Sequence, residues 1–429
     1  MPSLLEEVEE LSASLIAIEA ASPKGQINRM NRMFDWLRNI HGDRVRKVFF
    51  RKPDHVAAGM GDLFNVVCDI GDPDAPEGLL LTGHGDGVPK HPDYTLVGRD
   101  PLKMTPHPTR KGAFYGWTLQ DMAGPNAAMM VATKDLQLPS HRKVRLIINP
   151  KEEEDSEGTH DAIYEDREKG HESLIKGMTH GFTNEIGVNT QIDDDPFLVI
   201  GRPGRVDLSV KIKGESAHIG AADRRKYHRY LVPRLMKAHE GLTFLDFPAA
   251  RPGSILPSTV MWSPRGRYDA VGLSLASEGW FDMDVLNSNH DITPEQHCAY
   301  VRDALFGILG DANFDVQLRQ RLTPRTPAWE EDPASQFVQL ALRIAREKTF
   351  QKDGRGKRMQ ARAGGATADE PIYASQGIKM VGFPPIGEGE HGPNELLDLG
   401  SLVEHISYIR ELAAYPEWYD GRPPQQLAA

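Results

Sequence analysis

The chain has 429 residues and carries 50 Lys and Arg against 61 Asp and Glu, a formal net charge of -11. That balance argues against a phosphate-backbone partner, and no run approaches the ~20 apolar residues a membrane span needs. Only Cys68 and Cys298 are present, too few for a disulfide framework or a thiolate metal cage.

The N-terminus, Met1-Pro-Ser-Leu-Leu-Glu-Glu, has no basic residues ahead of an apolar core, so the expected setting is the reducing cytoplasm. Leu4, Val8, Leu11, Leu15 and Ile18 recur at helical spacing behind a Ser3/Glu6 capping box, which predicts an opening helix that ends before Pro23. A second helix over Ile27 to Ile40 leads to strands at Val45 to Arg51 and Leu63 to Ile70. Leu79 to Thr82 is an apolar run without polar alternation, the pattern of a strand buried on both faces, and it ends in the turn Gly83-His84-Gly85-Asp86-Gly87. Pro89 to Gly112 has no period and is rich in Pro, His and Gly, which predicts a long loop.

Asp121 precedes Gly-Pro125-Asn-Ala-Ala-Met-Met, a helix start with proline near the first helical position. Val144 to Asn149 is a further buried strand and runs into the acidic stretch Lys151 to Gly158, which also suits a solvated charge run. From about Gly201 the texture changes. Val206, Leu208, Val210 and Ile212 alternate with polar residues, as do Val316 and Leu318, and between them lie a basic helix over Arg224 to Glu240, a strand Gly279 to Leu286 and a helix opened by Thr293-Pro-Glu-Gln296. Helical spacing returns at Phe337, Leu340, Ala341 and Ile344, followed by a strand at Ile378 to Phe383 and a last helix through Leu402, Ile406, Ile409 and Leu412. The length suggests roughly two to three domains. The pattern predicts two, with a catalytic domain from 1–204 and 324–429 and an inserted α+β domain at 205–323.

Open α/β sheets put chemistry at strand carboxyl ends. The residues delivered there are His84 and Asp86, Asp121, the Glu152-Glu153 pair, and Glu390-His391-Gly-Pro-Asn394-Glu395. Imidazoles and carboxylates without thiolates form a ligand set for Zn, Mn or Co in a hydrolytic site. Each piece alone is weak, because a lone histidine in a glycine-rich loop is more often structural.

In this order, His-x-Asp, a lone Asp before a helix, Glu-Glu-x-x-Ser-x-Gly, Gly214-Glu-Ser-Ala-His218-Ile-Gly and a late His with Asn-Glu, the chain resembles the M20 family of metallohydrolases over nearly its whole length. The resemblance implies a mixed-sheet, zinc-peptidase-like α/β catalytic domain with an inserted ferredoxin-like lid that also serves in dimerisation. It further implies that His84 is a metal ligand, Asp86 its supporting carboxylate, Asp121 a bridging ligand, Glu152 the general base, and Glu153 and His391 ligands of the second metal. His218 would polarise the substrate oxygen, and Arg362 would bind a substrate carboxylate. The implied activity is metal-dependent hydrolysis of a carbon-nitrogen bond in a small molecule by a homodimer or higher homo-oligomer.

Three departures stand out. Counted back from Gly201, the family's further metal-binding glutamate falls near Asn189, while Glu185 and Asp193 are out of register. This leaves His84 and Asp121 alone at the first position and predicts a single essential ion per chain. The lid's Asp-x-Arg is Asp284-Val285-Leu286, and Ser254 stands where an asparagine is common. Together with the motif forms Gly-His-Gly-Asp-Gly and Trp-Thr-Leu-Gln-Asp, these losses predict a non-peptide substrate; the chain resembles in these features the aryl aminohydrolases of the family, and that resemblance implies the amine of an electron-poor aromatic ring. The competing expectations are a carboxypeptidase, dipeptidase or N-acyl amino acid amidohydrolase, and a non-catalytic binder, which would have no use for Glu152.

Overall fold

The structure is a computed structural model that describes residues 2–90, 92–95, 98–185, 194–215, 223–243, 245, 253–256, 265–268, 277–289, 291–352 and 354–415. Its contacts divide the chain into one unit of Met1–Arg202 with Glu330–Ala429 and a second of Pro203–Trp329.

The first unit is built on a nine-stranded mixed sheet. The opening helix, Leu4–Ile16, has the Ser3/Glu6 capping box in full, and Ser22 caps the next helix, Pro23–His41. Glu77–His84 is buried along its entire length, as a run of apolar residues flanked by strands on both sides requires. Its neighbours are Arg142–Asn149 and His180–Thr183, both parallel to it, and His180–Thr183 pairs in parallel with Lys379–Gly382. Four adjacent strands therefore point their carboxyl ends at the same rim. The helix Gly124–Thr133 is buried at every residue, and the last helix, Leu399–Ala414, buries Leu402, Ile406, Ile409 and Leu412.

The second unit is a four-stranded antiparallel sheet in the order Arg265–Tyr268, Glu278–Asn287, Gly204–Lys213, Phe314–Leu318. Val206, Leu208, Val210 and Ile212 share a core with Phe281, Met283 and Val285 of the sheet and with Leu231, Val301 and Leu305 of the helices Leu231–Thr243 and Pro294–Leu309. One element differs from expectation. The basic helix over Arg224 to Glu240 is broken into a 3-10 segment, Arg224–Arg229, and the helix Leu231–Thr243, with Tyr230 extended between them. Pro233 explains the break: it has no N–H to give the Arg229 carbonyl and its ring would strike that oxygen. The carbonyl instead accepts from Glu215 N at 2.8 Å. No helix among the described residues is long and apolar enough to cross a membrane.

Arg142 ties the first unit's sheet to its last helix. The fully buried guanidinium donates from Nη2 to Glu77 Oε2 at 2.6 Å and from Nη1 to the Ala413 carbonyl at 3.1 Å. Arg142→Ala leaves the buried Glu77, among the described residues, with only the looser His141 Nε2 contact at 3.7 Å, and equilibrium urea unfolding is expected to show a loss of about 3–5 kcal/mol, partly recovered by adding Glu77→Gln. A loss below about 1 kcal/mol, the size of a solvated pair, would contradict this role.

Candidate metal centre and active site

Asp121 lies at the middle of the rim. Its Oδ1 is 2.8 Å from His84 Nε2 and its Oδ2 is 2.8 Å from His391 Nε2. Glu185 Oε2 lies 3.5 Å from the same nitrogen of His84, and Glu153 Oε2 lies 3.3 Å from that of His391. Two donor triads result, His84/Asp121/Glu185 and Asp121/Glu153/His391, each with its atoms within 4.8 Å of one another. Asp121 belongs to both.

Local backbone geometry aims these groups. Of the five non-glycine residues with positive φ among those described, four flank the site: Thr118 at 59°, Lys151 at 64°, Ser156 at 54° and His391 at 62°. Such conformations cost of order 1–3 kcal/mol each and persist only where surrounding contacts impose them. At Thr118 the imposing group is Glu395, whose carboxylate accepts from the backbone N–H groups of Thr118 at 2.9 Å, Gln120 at 2.7 Å and Asp121 at 3.2 Å. Around His84 the glycines are contact points: a Cβ on Gly83 would lie 2.5 Å from Asn126 Oδ1, and one on Gly87 2.4 Å from Thr118 Cγ2.

Asp86 joins the two halves of the site. Its Oδ1 is 3.4 Å from His84 Nδ1 and accepts from Glu152 N at 3.1 Å, while Oδ2 accepts from Glu153 N at 3.2 Å. One carboxylate therefore orients the imidazole and the turn that carries both glutamates. Within that pair the environments diverge. Glu153 faces His391, whereas the Glu152 carboxylate has no hydrogen-bond partner among the described residues. Asp369, buried and bonded to Thr159 Oγ1, acts electrostatically on Glu152.

The electrostatics fit a cation. Burial, with Asp121 adding, pushes Glu153 up to about 7, and burial pushes Asp369 up to about 7 and Glu395 up to about 8. Glu152 is also raised, by burial first and then by Asp369, Glu185 and Glu153 against the pull of His84. Burial works to lower His391, but its bonds to Asp121 and Glu153 overcome that and hold it up at about 12. Asp121 goes the other way: the two imidazoles outweigh its burial and keep it below the ordinary carboxylate range. Buried carboxylates that compete for protons, with imidazoles that retain them, form a donor set that a divalent metal satisfies in place of those protons.

His84, Asp86, Asp121, Glu152, Glu153 and His391 thus come together. His218, Asn189 and Asp193 lie outside the described residues. Arg362 stands on the strand Gln360–Ala363, with its guanidinium 3.5 Å from the centroid of the Phe197 ring and Asp194 acting on it. The expectation that the first position keeps only His84 and Asp121 is corrected: Glu185 lies within reach of both as a third donor, and the ground for expecting a single ion disappears. The register count failed because Glu185 is placed by the end of the strand His180–Thr183, which neighbours Glu77–His84, and not by its distance from Gly201. Glu185 is held in turn by Arg202, which donates to its carbonyl at 3.4 Å and pairs with Glu370 at 2.8 Å. The sequence assigns no role to Glu395, which follows Asn394, or to Asp369, which ends the run Gly364-Gly365-Ala-Thr-Ala-Asp369 behind Arg362.

Residues 80–415 match the model of Peptidase family M20/M25/M40. Among solved structures, the di-peptidase Dug1p of Saccharomyces cerevisiae is similar with a TM-score of 0.70 at 14% identity, over 96% of this chain and 98% of that one. The YXEP protein of Bacillus subtilis, described as a dinuclear metal binding peptidase from the M20 family, matches with a TM-score of 0.55 at 13% identity over 96% and 97% of the two chains. The aminobenzoyl-glutamate utilization protein of Klebsiella pneumoniae matches with a TM-score of 0.52 at 12% identity over 98% and 100%. At these identities the structural likeness is one of fold, while the family match spans most of the chain. The chain belongs to Peptidase family M20/M25/M40 and is a metal-dependent hydrolase.

Proposed function

We propose that this hydrolase cleaves a carbon-nitrogen bond with Glu152 as general base, and that its substrate is an aromatic amine bearing a carboxylate, 5-nitroanthranilate, converted to 5-nitrosalicylate and ammonia. The observation that carries the catalytic part is the division of labour at Glu152-Glu153: adjacent carboxylates hung from Asp86, one turned to His391 and the other left without a hydrogen bond among the described residues. His84, Asp121 and Glu185 would hold one divalent ion, and Asp121, Glu153 and His391 another. Zn, Mn and Co all suit these donors. When bound, the metal supplies Lewis acidity that brings a coordinated water toward a pKa of ~7.

Glu152 then takes a proton from the attacking water as its oxygen bonds to the carbon bearing nitrogen. The same carboxyl returns that proton to the departing nitrogen as the carbon-nitrogen bond breaks. For an aryl amine this balances as a ring hydroxyl plus ammonia, and an electron-poor ring accepts the incoming oxygen as a carbonyl does. Asp86 keeps the base and His84 in register throughout, and Arg362 is the candidate partner for the substrate carboxylate.

The lid supports a non-peptide substrate. Leu286 stands in place of an arginine, Asp284 is tied to Arg205 at 3.0 Å, and the Ser254 hydroxyl accepts from Leu256 N at 3.1 Å in its own turn. Groups used in this way are poorly suited to hold a peptide. The Klebsiella pneumoniae neighbour, named for use of an aminobenzoyl compound, is consistent with an aromatic substrate. One observation favours the second reading, a dipeptidase or N-acyl amino acid amidohydrolase: Glu185 supplies the carboxylate whose loss had counted toward a non-peptide role. In either case the lid serves a homo-oligomer in which His218 reaches the partner subunit's substrate.

Glu152→Gln is expected to lower turnover by ~100- to 10,000-fold while metal content stays at the wild-type level. Near-full rate at saturating metal would remove Glu152 from the role of base. In a screen of manganese-loaded protein, ammonia release is expected from 5-nitroanthranilate in preference to dipeptides and N-acyl amino acids, and the reverse preference would establish the second reading. Mixed Glu152→Gln and His218→Ala subunits are expected to regain activity in hybrid dimers; no recovery after verified subunit exchange would place His218 in its own subunit's site.

A further inference from the structure

His391 is the least enclosed of the donors. Its side chain is 48% exposed, against 1% for His84 and 5% for Asp121. It also hangs from a turn, where the other histidine ends a buried strand. That turn has Gly389 at φ 76° and His391 at φ 62°, with Gly392 N donating to the Gly389 carbonyl at 3.0 Å and Glu395 N to the Gly392 carbonyl at 3.3 Å. Such a turn does not fix an imidazole by itself.

None of the described residues between Pro89 and Gly112 belongs to either donor triad, yet two side chains of that segment grip this turn. The buried Tyr94 donates its hydroxyl to the Gly392 carbonyl at 3.0 Å. Arg99 donates from Nη2 to the Pro393 carbonyl at 3.3 Å and to Asn394 Oδ1. Arg99 is itself fixed, with its guanidinium carbon 3.7 Å from the centroid of the Tyr115 ring. Tyr115, on the strand Ala113–Tyr115, pairs with Leu396 of the antiparallel strand Leu396–Asp398 in a separate small sheet of the first unit, just beyond the turn, so the grip closes on a common base.

We propose that Tyr94 and Arg99 are positioning residues that clamp the Gly389 to Asn394 turn and thereby hold His391 where it can ligate. The proposal rests on reading Asp121, Glu153 and His391 as a metal position. Groups that orient a ligand from behind are worth roughly 10- to 100-fold in metal affinity. Arg99 and Tyr94 act on one ligand of one triad, so the effect should fall on a single class of ion.

The test is calorimetric titration of the full-length apo-protein with Mn(II) alone, comparing wild type, His391→Ala, Arg99→Ala and Tyr94→Phe. His391→Ala is expected to abolish one class of binding. Arg99→Ala and Tyr94→Phe are expected to weaken that same class by ~10- to 100-fold and leave the other unchanged. Tyr94→Phe keeps the buried ring, so the comparison survives if Arg99→Ala folds poorly. Unchanged affinity in both clamp variants, or an equal fall in both classes with a lowered unfolding temperature, overturns the clamp while His391→Ala still upholds the ligand. Wild-type binding by His391→Ala overturns the ligand reading itself, and the clamp with it.

Discussion

The Asp121 carboxylate, held between two imidazoles 2.8 Å from each of its oxygens, is the constraint on which the rest of the catalytic unit depends. A carboxylate that serves two positions at once has little rotational freedom to spare. The surrounding structure removes that freedom in layers. Glu395 takes up the backbone N–H groups on the approach to Asp121, and Arg29 donates to Thr118 Oγ1 at 2.8 Å from behind. Gly83 and Gly87 let the His84 turn pass close to Asn126 and Thr118.

Charge explains why the arrangement is both costly and useful. Burying this many acids together raises their proton affinity, and the shifts at Glu153, Asp369 and Glu395 express that cost. A dication in each triad would offset it, so metal binding and organisation of the rim are expected to be coupled. Asp86 fixes both glutamates through their backbone and leaves their side chains to separate environments, as the proposed division between ligand and base requires.

Much of this was legible in the sequence, and the reasons for the misses are specific. The capping box at Ser3, the buried strand at Leu79 to Thr82 and the proline-started helix after Asp121 each have a local signal that tertiary structure did not override. His180–Thr183 has none: it is short and carries polar residues at both ends. With that strand unseen, Glu185 had no place in the sheet, and counting along the chain led to Asn189. The rule that located His84, chemistry at the carboxyl end of a parallel strand, would have located Glu185 as well. Pro233 is the local signal for the break in the basic helix. The Glu395 clamp on the Asp121 loop joins segments far apart in the chain, and no local pattern encodes it.

The donor triads of the first unit and the lid proposed for the second pull the substrate question in different directions. On the proposed reading the two donor triads suit peptide or amide hydrolysis, while Leu286 and Ser254 count against a peptide. The proposed chemistry in either case would place one divalent ion in each triad, with Asp121 common to both. Anomalous diffraction from manganese-loaded crystals of the protein tests this most directly. The account predicts two peaks, one bounded by His84, Asp121 and Glu185 and the other by Asp121, Glu153 and His391. A single peak with the Glu185 triad empty, or peaks away from Asp121, would contradict it.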